Sequence, residues 1–125
     1  MGCTLKELAG KIVECGMQFG LWFEPESISE DSDLYREHPD WAVAIPGRKP
    51  AFSRNQLVLD LSREDVQDYM IGRMTAIFEE TPITYVKWDF NRSICDKFSA
   101  ALNAQSQGDS HTDMCWDYIG CWRHC

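Results

Sequence analysis

Met17-Gln18-Phe19-Gly20-Leu21-Trp22-Phe23 and Ile83-Thr84-Tyr85-Val86-Lys87-Trp88-Asp89 are the two stretches on which the fold turns. The first is almost wholly apolar and stops at Glu24-Pro25-Glu26; the second follows Pro82. Short apolar runs bounded by Gly and Pro, each directly after a helical pattern, predict strands buried on both faces of a parallel sheet. Upstream of the first run, Leu5, Leu8, Ala9 and Ile12 recur at helical spacing. That predicts a helix over residues 4–14, with Thr4 as N-cap and Gly16 as its stop. Upstream of the second, Val66, Tyr69, Met70, Arg73, Met74 and Ile77 lay out a helical face as far as Glu80. Ser62-Arg63-Glu64-Asp65 reads as its capping box. Residues 27–55 show no sustained period and contain three prolines. A connection of that length predicts a functional loop or one with small helices of its own. Residues 56–60 read as extended.

The order helix, strand, long loop, helix, strand implies parallel βα units whose strand ends share one rim. So few strands neither close a barrel nor fill a doubly wound sheet. The expectation is a slice of a larger α/β domain, with open sheet edges and exposed apolar surface.

Composition narrows the function classes. The 125 residues carry 12 Lys+Arg against 20 Asp+Glu, a formal charge of −8, with 44% apolar and 12% aromatic residues. No basic stripe exists to displace counterions, so no nucleic-acid partner is expected. No apolar run approaches the roughly 20 residues of a membrane-spanning helix, and no apolar signal region follows Met1. Lys6 stands where a myristoylation motif needs Ser or Thr. The expectation is a cytoplasmic chain with no membrane partner. Its six cysteines are then expected as free thiols.

Alternation along the strands puts Tyr85, Lys87, Asp89 and Asn91 on one face, and Gly20, Trp22 and Glu24 on the matching face. Reactive groups in parallel α/β folds gather where strands end. Lys87 and Asp89 either form a buried ion pair that fixes register or serve a ligand. Trp22 is either core or contact surface. Glu24 and Glu26 are either catalytic carboxylates or helix caps, and Arg54 either a solvated charge or a clamp.

Four motifs then carry a resemblance over residues 2–108. They are Phe19-Gly20-Leu21-Trp22-Phe23-Glu24-Pro25-Glu26, Asp31-Ser32-Asp33-Leu34-Tyr35-Arg36 with His38-Pro39-Asp40-Trp41, Arg54-Asn55-Gln56-Leu57-Val58-Leu59-Asp60, and Lys87-Trp88-Asp89-Phe90-Asn91-Arg92. In this order and separation they resemble the α-galactosidases of glycoside hydrolase family 36. Ser53 replaces the family's usual Gly before Arg54, and Ser27 the usual Met after Glu26. The resemblance implies a partial (β/α)8 TIM barrel over residues 1–111, the two apolar runs being strands 3 and 4. It implies retaining hydrolysis of terminal α-D-galactosyl residues of the melibiose or raffinose type, in carbohydrate catabolism and without a cofactor. Asp89 would be the nucleophile; Trp22, Arg54, Lys87 and Asn91 would bind the sugar. The acid/base is expected beyond Cys125, Glu24 and Asp60 being the strand-end rivals for that role within the chain. An acidic pair gripping the sugar is expected before Met1. Full-length members are often homotetramers. The alternative is an inactive fragment with at most weak galactose binding.

Residues 112–125 depart from the family. With suitable codons, a shift of one nucleotide near His111 turns them into Arg-Tyr-Val-Leu-Gly-Leu-Tyr-Arg-Met-Leu-Glu-Thr-Leu, a family-like helix. An aberrant, frameshifted tail is therefore expected. Its rival, a zinc site from Cys115, Cys121, His124 and Cys125, lacks a Cys-x-x-Cys pair, and no metal is expected.

Overall fold

The computed structural model describes residues 2–89, 91 and 98–108. Its elements are α1 (Leu5–Glu14), β1 (Gly20–Phe23), β2 (Ser27–Ile28), α2 (Asp33–Glu37), a 3-10 turn (Pro39–Trp41), β3 (Leu57–Val58), α3 (Glu64–Glu80), β4 (Tyr85–Trp88) and a second 3-10 turn (Ser106–Gly108).

Helix α1 starts where Thr4 Oγ1 accepts the Glu7 N–H at 3.2 Å and the Glu7 carboxylate accepts the Thr4 N–H at 2.9 Å. The box is reciprocal, so two otherwise orphaned donors are satisfied. At the other end Gly16 has φ +78°. Its N–H donates to Val13 O and that of Met17 to Ile12 O, the Schellman pattern that a left-handed glycine permits. The expected start and stop both hold.

Strands β1 and β4 pair in parallel, with Gly20 opposite Tyr85 and Trp22 opposite Lys87. A Cβ on Gly20 would lie 3.0 Å from Tyr85 Cδ1 and 3.2 Å from Tyr85 O, so the close approach of the strands requires glycine there. The strands differ from expectation in length and burial. Each spans four residues, Trp22 is 48% exposed, and Tyr85 and Val86 are exposed as well. Among the described residues each strand pairs along one edge only. Helix α3 reaches the sheet through Phe78, which meets Phe23 edge-on at 5.7 Å. Burial on both faces needs more neighbours than that.

The main core lies in the segment between the two strands. Strand β2 pairs antiparallel with β3, Ser27 opposite Val58 and Ile28 opposite Leu57, while Ala42 bridges Leu59. Ile28, Trp41, Ala42, Leu57, Leu59, Leu61 and Val66 form one buried cluster, with Leu34, Tyr35 and Met70 packed against it. Fully burying such a leucine is worth about 1.5–3 kcal/mol. Ser32 Oγ caps α2 by accepting the Tyr35 N–H at 3.1 Å, and His38 stacks on Trp41 at a centroid distance of 4.0 Å. The long connection thus has small helices of its own, organised around its own core.

The capping box expected at residues 62–65 does not form. Ser62 Oγ donates instead to Asp60 Oδ1 at 2.6 Å, and Asp65 pairs with Arg63 at 2.8 Å. Asp60 takes the Ser62 hydroxyl, and Asp65 turns to Arg63 and the Val66 N–H at 3.1 Å instead of reaching back to Ser62. Arg63 also reaches Asp40 at 2.8 Å, tying the start of α3 to the first 3-10 turn. No described helix is long and apolar enough to cross a membrane.

Candidate active site

Because β1 and β4 run parallel, their C-terminal ends meet on one rim, and the pairing continues as Asp89 N–H donates to Phe23 O at 3.1 Å. The shared parity of Trp22, Lys87 and Asp89 converges there on one atom. Trp22 Nε1 donates to Asp89 Oδ2 at 2.8 Å, and Lys87 Nζ lies 2.9 Å from the same oxygen. The Lys87 hydrogen bond first, then that of the Trp22 indole, holds the Asp89 carboxyl below its ordinary 3.8 against the opposing pull of burial. The same hydrogen bond to Asp89 raises Lys87 above 10.5. Among the described residues the Lys87 and Asp89 side chains are 57% and 31% exposed, an ion pair at the rim. Trp22 is half-exposed among the described residues, and its indole N–H is donated to a carboxylate.

A second set of contacts adjoins the first. The chain turns at Pro25, with Ser27 N–H donating to Glu24 O at 3.2 Å. Glu24 Oε1 accepts Asn91 Nδ2 at 2.7 Å and lies 3.5 Å from Arg54 Nη1. Glu26 is fully buried, and its Oε1 accepts the Asn91 backbone N–H at 3.1 Å. Arg54 sits at the tip of a two-residue hairpin closed by reciprocal Ser53–Gln56 hydrogen bonds, with φ of +54° at Arg54 and +58° at Asn55. Such turns favour Asn, Asp or Gly at both central positions, so an arginine there costs on the order of 1 kcal/mol. The strained turn holds Arg54 beside the Glu24 carboxylate.

Trp22, Lys87, Asp89, Asn91 and Arg54, singled out from the sequence, thus fall into two adjoining sets, Trp22 and Lys87 on Asp89, and Asn91 and Arg54 on Glu24. Asp60, the other strand-end rival, is buried in the turn before α3, its Oδ1 accepting the Ser62 N–H and hydroxyl. Glu24 and Glu26 meet Asn91 rather than capping a described helix. Spacing alone leaves these two carboxylates ambiguous; the signal is the proline between them, at the turn that brings both to Asn91.

Cys3 and Cys15 are free. Among the described residues no group of His, Cys, Asp or Glu could hold a metal ion. Residues 112–125, with Cys115, Cys121, His124 and Cys125, lie outside the described residues, as does Cys95.

Comparison with known proteins agrees with these motifs. The Melibiase family model matches residues 1–119. The chain is 50% identical over 103 residues to the bifunctional α-galactosidase/sucrose kinase AgaSK of Mediterraneibacter gnavus, covering 82% of this chain and 11% of that protein. It is 50% identical over 106 residues to the α-galactosidase AgaA of Geobacillus stearothermophilus, covering 85% and 14%. A crystal structure of an AgaA variant with raffinose superposes with a TM-score of 0.92 at 44% identity, over 96% of this chain and 17% of that one. AgaA variants have also been solved with stachyose and with 1-deoxygalactonojirimycin. The chain therefore spans well under a fifth of the length of these relatives, which are TIM-barrel enzymes. With its model matched along nearly the whole sequence, this chain belongs to the melibiase family, beside the glycoside hydrolase family 36 α-galactosidases that it resembles.

Proposed function

We propose that this chain is the nucleophile-bearing part of a retaining α-galactosidase, acting on terminal α-D-galactosyl residues of the melibiose and raffinose type. Strands β1 and β4 are then strands 3 and 4 of a (β/α)8 barrel. One observation carries the reading: the Asp89 carboxylate stands at the rim with an ammonium and an indole N–H on the same oxygen. Both donors favour the ionised form, the form that attacks.

Asp89 attacks the anomeric carbon as the bond to the leaving oxygen breaks, giving a galactosyl ester that water then hydrolyses. A second carboxyl about 5–5.5 Å away must protonate the leaving oxygen and later activate the water. Within the chain Glu24 is committed to Asn91 and Arg54, and Asp60 to Ser62. The resemblance implies that the acid/base comes from a part of the barrel outside these residues. Lys87, Asn91 and Arg54 supply hydroxyl-binding groups, and Trp22 an apolar face for the sugar ring. The alternative in which the chain only binds galactose shares this site and differs in lacking the ester.

The test is a titration of the isotope-labelled chain with galactose, 1-deoxygalactonojirimycin and glucose, followed at the Trp22 indole N–H resonance. Saturable shifts with the two galactose-configured ligands and weaker ones with glucose are expected, with no turnover of an α-galactoside. No shift, or an equal shift with glucose, overturns the proposal.

A further inference from the structure

We infer that Glu24 and Glu26, the carboxylates on either side of Pro25, are positioning residues that clamp Asn91 at the rim; the inference rests on reading that rim as a galactose site. A carboxylate as buried as Glu26 is costly unless its oxygens meet specific donors. Here Oε1 takes the backbone N–H of Asn91, 65 residues away in sequence. Glu26 is itself fixed from the core side, because Leu59 N–H donates to Glu26 O at 2.8 Å. The buried cluster around Leu59 therefore connects through Glu26 to the backbone just past β4. Glu24 completes the grip by accepting the Asn91 side-chain amide, and it holds Arg54 with the same oxygen.

Two contacts to one residue, one to its backbone and one to its side chain, define both where Asn91 stands and how its amide is turned. The amide nitrogen faces the Glu24 carboxylate, and the Asn91 side chain is among the groups that hold the Asp89 carboxyl low. A backbone N–H donating to a carboxylate is charge-assisted, stronger than a neutral bond. Neither glutamate acts on the substrate in this account; they set the group that does.

The experiment compares Glu26→Ala, Glu26→Gln and Glu24→Ala in the full chain by amide hydrogen exchange and nitrogen-15 NMR. Glu26→Ala is expected to speed exchange of the Asn91 N–H on the order of tenfold, since one charge-assisted bond is lost. Glu26→Gln, which keeps an oxygen acceptor, restores most of the protection. The Trp22 indole resonance should stay put in both, which a general loss of structure would not allow. Glu24→Ala, a milder change at a partly accessible side chain, should move the Asn91 side-chain amide resonances. Unchanged Asn91 exchange in Glu26→Ala, or unmoved side-chain resonances in Glu24→Ala, overturns the clamp. A protected Asn91 in a chain that binds no galactose overturns the proposed function instead and leaves the clamp standing.

Discussion

Replacing Leu59 by alanine removes Cγ, Cδ1 and Cδ2 from a side chain that is 1% exposed, at the centre of the main buried cluster. At about 0.8 kcal/mol per buried carbon, the lost transfer energy alone comes to about 2.5 kcal/mol. The residual cavity adds to that, placing the total at roughly 2.5–4 kcal/mol. A chain of this size should then lose about 10 °C or more in Tm. In urea the midpoint should fall by on the order of 1.5 M. Leu8, which is 47% exposed on α1, is the internal control. Leu8→Ala should change stability by no more than about 0.5 kcal/mol. The assay is equilibrium unfolding in dilute solution followed by far-ultraviolet circular dichroism. Equal losses for the two variants would refute a main core in the segment that joins β1 to β4.

The Trp22 indole N–H should report the titration of Asp89, with a midpoint below 3.8, and Lys87→Met should move that midpoint upward. The contribution of Asp89 is complete above 3.8 and fades as pH falls through its lowered value; that of Lys87 is complete below 10.5 and fades as pH rises through its raised one. Thr4→Ala should cost about 1 kcal/mol and speed exchange at the Glu7 N–H, because the α1 capping box is lost. The nucleotide sequence around His111, read one frame over, should encode the family-like helix; an intact frame with unrelated codons would refute the frameshift.

The sequence made the site more legible than the fold around it. Alternation alone put Trp22, Lys87 and Asp89 on one rim, and the parallel register of β1 and β4 joins them. Helix α1 was readable because its signals are local, a threonine at one end and a glycine at the other. Residues 27–55 were not, because their core is built from distant pairings such as Ile28 with Leu57 and Ala42 with Leu59. No period in a sequence announces such partners. Ser62 misled for the opposite reason: its motif was right for a cap, but Asp60 lay closer to hand. Glu26 illustrates a third limit, since a carboxylate after a proline reads equally as a catalytic group or a helix cap until the strand end that meets it is known.

The most direct test of Asp89 as nucleophile is covalent capture with a 5-fluoro-α-galactosyl fluoride, followed by peptide mass spectrometry. Fluoride departs with little proton assistance, so the trap does not require an acid/base residue. A galactosyl ester on Asp89, absent in Asp89→Asn, is the predicted result. Saturable sugar binding with no ester on Asp89, or with the label on Glu24, would contradict it.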